Sequence, residues 1–541
     1  MDLVEPTHEV VNQAPPLAPY NVFEADLALS EALTREGGSW GVDRLRETGE
    51  LAGSREALEH AQRCEANEPV LRTHDRYGNR IDEVELDPSW HWLLRQAVER
   101  EIHALPWRDP RPGAHVVRGA LLYTWGQVDA GVMCPISMTY SVIPALRENP
   151  DAAAEWEPRL THPHYGAGAL AGMAMTEKQG GSDVRASTTK AEPQADGSYA
   201  ITGHKWFCSH PSCDVFLTLA QAPAGLSCFL IESADPGFRI QRLKDKLGTR
   251  SLASSEVEFH GVRGRLIGEE GRGVATIIRM VNHTRLDCLL GSAASMRWGT
   301  AAAVHHARHR SAFGARLVDQ PAMTNVLADL AIESEAATVL ALRVARAYDE
   351  GEQGAPRPVG GEAAAFRRLA TAVSKYWVCK RAPAHAIEAL ECLGGNGYVE
   401  ESGMPRLYRD APLNSIWEGS GNVAALDVLR ALGREPEALP ALLEEVELAA
   451  GASPALDAHV AGVKDTLAGI SQGSEDPQFA ARRTVEDLGL ALQGSLLVRH
   501  APAEVSDAFC AARLAGGGGR AFGTLPAGVD ADAIVERALV A

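Results

Sequence analysis

Apolar residues recur at three- and four-residue spacing through most of the first 170 positions. In Asp26-Leu27-Ala28-Leu29-Ser30-Glu31-Ala32-Leu33, and again over 90–103, they mark one face of a helix. Residues 1–20 are Pro-rich and polar and read as an extended arm lying on another part of the protein. Near 171 the period changes. Short β-type segments at 199–203, 215–219, 227–231 and 256–259 are bounded by turn residues, and Asp196-Gly197 signals a hairpin. Strands at this spacing predict a small β-barrel or sandwich of about 100 residues. After Gly271-Arg272-Gly273 the helical period returns with long helices over 274–309, 320–349 and 363–393, the last two separated by a Gly/Pro-rich linker at 351–361. From about 434 a second helical block, punctuated by Pro436, Pro440, Pro454 and Pro477 and holding a flexible glycine loop at 516–519, runs to the end. The predicted fold is mostly α with a central β domain. Its divisions are an arm and α domain at 1–170, a β domain at 171–272, a helical bundle at 273–433 and an extra helical domain at 434–541.

Composition adds limits. With 541 residues, 45% hydrophobic and 23% charged, the chain has ample material for a core. A net charge of −19 disfavours nonspecific attraction to nucleic acid or anionic membrane. The N-terminus lacks the pattern of a signal peptide, and no apolar run reaches membrane-spanning length, so a cytoplasmic protein with no membrane partner is expected. Nine dispersed cysteines point to reduced thiols, not a disulfide framework.

Several segments carry candidate chemistry. In Met173-Ala174-Met175-Thr176-Glu177-Lys178-Gln179-Gly180-Gly181-Ser182 paired glycines sit between hydroxyls, so backbone N–H groups and side chains can meet an anionic cofactor, or the loop merely needs flexibility. In Trp206-Phe207-Cys208-Ser209, on a strand, alternation places one aromatic in the core and the other on the opposite surface, where a flat heterocycle can lie. His204, Cys208, His210 and Cys213 lack standard zinc spacing, and no metal is expected. His305 and His309 share a helix face that is solvated or faces a partner. Arg310, followed by Phe313-Gly314, ends a helix where it can bind a phosphate or cap the C-terminus. Glu391-Cys392-Leu393-Gly394 is a second helix end with a glycine cap. Ile416-Trp417-Glu418-Gly419-Ser420-Gly421-Asn422 joins one carboxylate to a small-residue turn. Walker, Rossmann and Gly-x-Ser-x-Gly patterns are absent.

In this order, the 173–183 loop, Gly203-His204-Lys205-Trp206, Lys246-Leu247-Gly248-Thr249-Arg250-Ser251, Arg310 to Gly314, Leu393 to Gly397 and the Glu418-Gly419 turn resemble the acyl-CoA dehydrogenase flavoprotein family. The wording of the first and last segments and the extra C-terminal block resemble its AidB-like branch, associated with the adaptive response to DNA alkylation. The resemblance implies an N-terminal α domain, a middle β-barrel and a C-terminal four-helix bundle. It implies FAD held along Met173 to Ser182, with Thr176 on the ring and Ser182 on the pyrophosphate. Phe207, Cys208 and Ser209 would lie along the isoalloxazine, and Ile416, Trp417, Gly419, Ser420, Gly421, Asn422, Val423, Ala424, Ala425 and Leu426 would cover its other side. Arg310, Phe313 and the 394–397 loop would reach the FAD of a neighbouring subunit in a homotetramer, although Glu391 stands where many relatives carry glutamine.

The chemistry implied is α-proton abstraction from an acyl-CoA by Glu418 with hydride transfer to flavin. A minority of the family place the base just before the bundle arginine matched by Arg285; here Thr284 stands there and cannot serve. Arg285 orders the substrate end or is structural. The alternative is a flavin-containing protein that binds double-stranded DNA and protects it, with only weak dehydrogenase activity. Arg430 and Arg520 are its DNA-contact candidates, though basic residues in 434–541 are interspersed with about twice as many acids.

Overall fold

The computed structural model of the chain describes residues 10–350 and 362–540; the first nine residues and the predicted linker at 351–361 lie outside them. The α domain is built from short amphipathic helices with side-chain caps. Asp26 accepts from Leu29 N at the start of Leu27–Arg35, and Ser54 from Ala57 N at the start of Arg55–Ala66. Sequence periodicity missed the hairpin of β1 (Val70–His74) and β2 (Arg80–Glu85), which interrupts these helices. Its strands have no fully buried face, so they carry little hydrophobic signal.

The β domain comprises β3 (Ala171–Ala174), β4 (Lys190–Pro193), β5 (Tyr199–Ser209), β6 (Val215–Ala222), β7 (Gly225–Glu232), β8 (Phe238–Leu243) and β9 (Ser254–Ile267). Asp196-Gly197 forms the β4–β5 turn, with Gly197 at φ +82°. Antiparallel pairing runs from β4 to β5, β9, β7 and β6, and β6 returns to β4 through the Lys190–Gln221 pair. The ring closes into a barrel, filled by residues such as Ile201, Phe216, Phe229, Val257 and Phe259. β3 adds to β6 in parallel and β8 to β9.

The bundle helices Gly273–His309, Pro321–Glu350 and Glu362–Cys392 fall within one or two residues of their predicted bounds. The first is buried along most of its length and packs on the other two and on the α-domain helices Ala114–Gly126 and Met133–Leu146. Arg118, fully buried, spans this junction to Asp287 with a bond of 2.8 Å and a second, shorter one. The C-terminal block shares the bundle's core: Val485, Leu488, Leu492, Phe509 and Ile534 are buried within it. Arg513 donates to Glu333 at 3.0 Å and Arg537 to Glu335 at 3.0 Å. The glycine loop at 516–519 is tied back through Gly517 N to Ala511 O and Gly519 N to Thr524 Oγ1. Among the described residues no helix is long and apolar enough to cross a membrane. All nine cysteines are buried and unpaired.

Residues 10–15 of the arm lie across the bundle. Asn12 exchanges two bonds of 2.8 Å with the Ser311 backbone, His305 Nε2 donates to Pro15 O at 2.8 Å, and Asn396 donates to Gln13 at 2.9 Å.

Candidate active site

Three segments carry the candidate site residues. The first, 173–182, leaves β3 and turns over the barrel. Its shape is set by Glu177, which is fully buried, as is its ion-pair partner Lys205. The carboxylate accepts from Lys205 Nζ (2.9 Å), Thr188 N (2.7 Å), Thr188 Oγ1 (2.9 Å), Gln179 Nε2 (2.8 Å) and Thr189 N (3.2 Å). Burial would raise its pKa, but Lys205 and these donors outweigh burial and hold it well below the usual carboxylate range. Glu177 is therefore internal to the loop. Lys178, Gln179, Gly180 and Ser182 are exposed; Met173, Met175, Thr176 and Gly181 are half-buried; Ala174 is buried. The Ser182 hydroxyl has no hydrogen-bond partner among the described residues, and around Gly180, at φ +139°, space is open.

The second segment corrects the expected alternation. A bulge between Lys205 and Cys208 breaks the period, so both of these side chains point inward. Trp206 and Phe207 both stay outside the core, Phe207 at 50% exposure, with Lys244 Nζ over their rings at 3.8 and 4.5 Å. Neither aromatic is spent on the core. Trp206 N donates to Thr176 O at 2.8 Å, which joins this segment to the first loop. Ser209 is half-buried, 3.5 Å from the Ser254 hydroxyl.

The third segment holds Glu418 at φ +56°, a left-handed conformation that costs a non-glycine residue about 1 kcal/mol or more. Arg285 Nε donates to Glu418 O at 2.9 Å, and Lys375 Nζ donates to Trp417 O at 2.8 Å and Gly419 O at 2.6 Å. The Arg285 guanidinium also meets Asp427 at 2.7 Å, which Arg368 meets at 2.9 Å. Burial raises the Asp427 carboxyl, but the two arginines outweigh it and hold it low. Trp417 Nε1 donates to Asn414, and Asn422 accepts from Arg482. Ile416, Asn422 and Leu426 are exposed; Trp417, Gly419, Ser420 and Val423 are half-buried; Gly421, Ala424 and Ala425 turn into the bundle. The Glu418 carboxylate has its Oε2 enclosed without a hydrogen-bond partner among the described residues. Burial raises its pKa, opposed by the Thr284 hydroxyl, Lys375 and Arg285. Nearby, burial and the Glu418 charge push the Cys134 thiol up to about 12, and burial lowers Lys246 to about 8.

Arg310 and Phe313 lie apart from this centre, at the far end of the Gly273–His309 helix. Arg310 caps the helix and donates to Asn12 O at 2.5 Å. Phe313, at φ +54° and fully exposed, and Gly314, at φ +83°, form the tip of the small hairpin β10 (Ser311–Ala312) and β11 (Ala315–Arg316). Arg430 is exposed, 3.4 Å from Asp427, and Arg520 is exposed. Sequence reasoning assigned no role to Lys375, Lys205 or Asp427. Lys375 had a signal: it interrupts the apolar run Ala370-Thr371-Ala372-Val373-Ser374-Lys375-Tyr376-Trp377-Val378, where a lysine must find a buried partner.

Known proteins share this architecture. Residues 12–167 match the family described as adaptive response protein AidB N-terminal domain, 172–262 the acyl-CoA dehydrogenase middle domain, and 271–433 its C-terminal domain. The putative acyl-CoA dehydrogenase AidB of Escherichia coli (strain K12) is 40% identical over 529 residues, 95% of each chain. Acyl-CoA dehydrogenase family member 11 of Caenorhabditis elegans is 30% identical over 483 residues, 82% of this chain and 78% of that one. The crystal structure of Caenorhabditis elegans ACDH-11 in complex with C11-CoA superposes with a TM-score of 0.88 at 28% identity, covering 94% of each chain. The acyl-CoA dehydrogenase complexed with FAD from Bacillus anthracis shares the fold, with a TM-score of 0.66 at 16% identity over 92% of this chain and 89% of that one. The chain belongs to the acyl-CoA dehydrogenase family, and within it to the AidB-like branch. It is an oxidoreductase of that type.

Proposed function

We propose that the protein binds FAD between the 173–182 loop, residues 207–209 and segment 416–426, and dehydrogenates an acyl-CoA with Glu418 as base. The observation that carries this reading is the enclosed, unpartnered Glu418 Oε2 on a carboxylate whose pKa burial raises. Such an oxygen is costly unless a ligand meets it. The donor set fits the cofactor. Thr176 and Ser182 offer hydroxyls, Gly180 leaves room for close approach, and Phe207 presents a half-exposed ring. The ACDH-11 complex with C11-CoA supports an acyl-CoA as substrate, and the Bacillus anthracis complex supports FAD.

Bound FAD supplies the acceptor for the hydride leaving the β-carbon. Glu418 takes the α-proton, and the electron pair of that C–H bond becomes the new Cα–Cβ π bond. Thr284, Lys375 and Arg285 restrain the rise that burial gives its pKa. Arg285 orders the substrate end through the turn it holds. Arg310, Phe313 and the 394–397 loop serve the cofactor of a neighbouring subunit in a homotetramer; the full exposure of Phe313 at a strained φ supports a covering partner. The test is anaerobic titration of the purified flavoprotein with short-, medium- and long-chain acyl-CoAs. At least one should bleach the wild type, and Glu418→Gln should retain flavin yet lose bleaching. Equal bleaching by the variant ends the proposal.

The competing reading is duplex-DNA binding through Arg430 and Arg520. It draws on the family of the N-terminal region, whose described function is an adaptive response. Charge argues against it: in 434–541, Lys464, Arg483, Arg499, Arg513 and Arg537 each pair with a carboxylate. A mobility-shift assay at two salt concentrations separates the readings. Binding that survives about 0.15 M salt and is lost in Arg430→Glu/Arg520→Glu favours DNA as a partner.

A further inference from the structure

Lys375 stands mid-way along the Glu362–Cys392 helix and is 2% exposed. A buried ammonium needs hydrogen-bond acceptors. Two of its acceptors are Trp417 O and Gly419 O, at 2.8 and 2.6 Å. The carbonyl between them, Glu418 O, is taken by Arg285 at 2.9 Å. Three successive peptide oxygens are thus captured by two buried cations from two helices. A turn held only by its own sequence would relax Glu418 out of the left-handed region; here each flanking peptide is pinned.

Resting on the reading of Glu418 as base, we propose that Lys375 is the positioning residue of that base: by bridging the carbonyls on either side of Glu418 it fixes the left-handed turn that orients the carboxylate. Arg285 alone cannot do this, because it holds only the central carbonyl and is shared with Asp427. The second consequence is electrostatic. Glu418 is faced by Thr284, Arg285 and Cys288 of the Gly273–His309 helix, by Lys375, and by Cys134 of the Met133–Leu146 helix. Only Lys375 and Arg285 among these are cations, and removing Lys375 lets burial lift the carboxyl further.

The test uses the full chain with Lys375→Met and Lys375→Arg. The first readout is infrared titration of the purified full-length protein, with Glu418→Gln identifying the Glu418 carboxyl band. Lys375→Met should move that titration upward by about one unit or more, and Lys375→Arg should restore most of it. The second is flavin reduction in the loaded protein. Lys375→Met should slow reduction at least about tenfold with acyl-CoA affinity within about twofold, because the base is misaimed while the binding surface is intact. Should Lys375→Met fail to fold, Lys375→Gln, which keeps an NH2 donor without the charge, undergoes the same carboxyl titration with the same expected shift. An unmoved Glu418 band, or unchanged reduction in a folded Lys375→Met protein, overturns the proposal. If the wild type is reduced by no acyl-CoA, the proposed reaction falls, and hydrogen exchange decides the clamp: the amides of 416–422 should exchange faster in Lys375→Met than in the wild type, and equal rates overturn it.

Discussion

Lys205→Met should destabilise the protein strongly, and by an amount that depends on pH. Among the described residues Lys205 is the only cation bonded to Glu177, in a fully buried pair, and it also donates to Leu219 O at 2.8 Å. Deleting one member of a buried pair costs about 3–5 kcal/mol. The four neutral donors left on Glu177 soften the loss. A second limit comes from protonation: the variant can neutralise Glu177 by taking up a proton. From an ordinary glutamate pKa of about 4.3, that costs about 3.7 kcal/mol at pH 7 and about 1 kcal/mol at pH 5. The orphaned Leu219 carbonyl adds about 1 kcal/mol at either pH. The wild-type Glu177 pKa is depressed, so its contribution is fully present above about pH 4.3 and is lost only below it, as pH falls towards the folded value. Between pH 5 and 7 the wild type therefore gains nothing from this group, and the change comes from the variant. Urea unfolding followed by tryptophan fluorescence should give a deficit of about 4–5 kcal/mol at pH 7, shrinking to about 2 kcal/mol at pH 5. A deficit below about 1 kcal/mol at pH 7, the size of an exposed pair, would refute the reasoning, as would equal deficits at both pH values.

Gly181→Ala places a Cβ 2.4 Å from Thr176 Oγ1, inside contact distance, so the hydroxyl or the loop must shift. Flavin retained on gel filtration should fall several-fold with circular dichroism unchanged; full retention would show that Thr176 does not hold the cofactor. Phe313→Asp alters a fully exposed side chain and should leave far-ultraviolet circular dichroism unchanged while breaking the proposed tetramer into smaller species by light scattering. An unchanged mass would remove Phe313 from the interface.

The bundle is legible because its helices are long and strongly apolar; the sequence predicts 274–309 and the structure has Gly273–His309. The barrel was legible only in part. β4 has four residues, Lys190–Pro193, too short for any period. β8 does alternate, with Phe238 and Ile240 inward and Arg239 and Gln241 outward, but it lies between turn residues and is brief. The error at Trp206 and Phe207 has a different cause. Alternation is a rule about regular strands, and a bulge is set by the partner strand, which the local sequence does not display. In sequence, Met173 to Ser182 reads as one cofactor loop, yet Glu177 is buried in its interior. The difference lies in Lys205, 28 residues away.

The strained positions show why the site needs the whole chain. Glu418, Thr249, Phe313, His210 and Asn12 are non-glycine residues at positive φ, and each lies on or beside a segment considered above. A left-handed residue persists only where surrounding contacts over-determine it. At Glu418 the contacts come from Arg285, 133 residues away, and from Lys375 on the two peptides beside it. At Thr249 they come from Asp410, 161 residues away, which accepts from its N–H at 2.5 Å. At Asn12 they come from Ser311, 299 residues away. Each restraint thus joins segments distant in sequence. A motif can mark where a carboxylate stands, but its direction is decided by cations on other helices, so loss of Lys375 should cost more reactivity than any change within the 416–422 turn that spares Glu418 and its flanking carbonyls. Comparing flavin-reduction rates of Lys375→Met and Ile416→Ala, the latter an exposed side chain of that turn, tests this ordering, and a slower Ile416→Ala would reverse it.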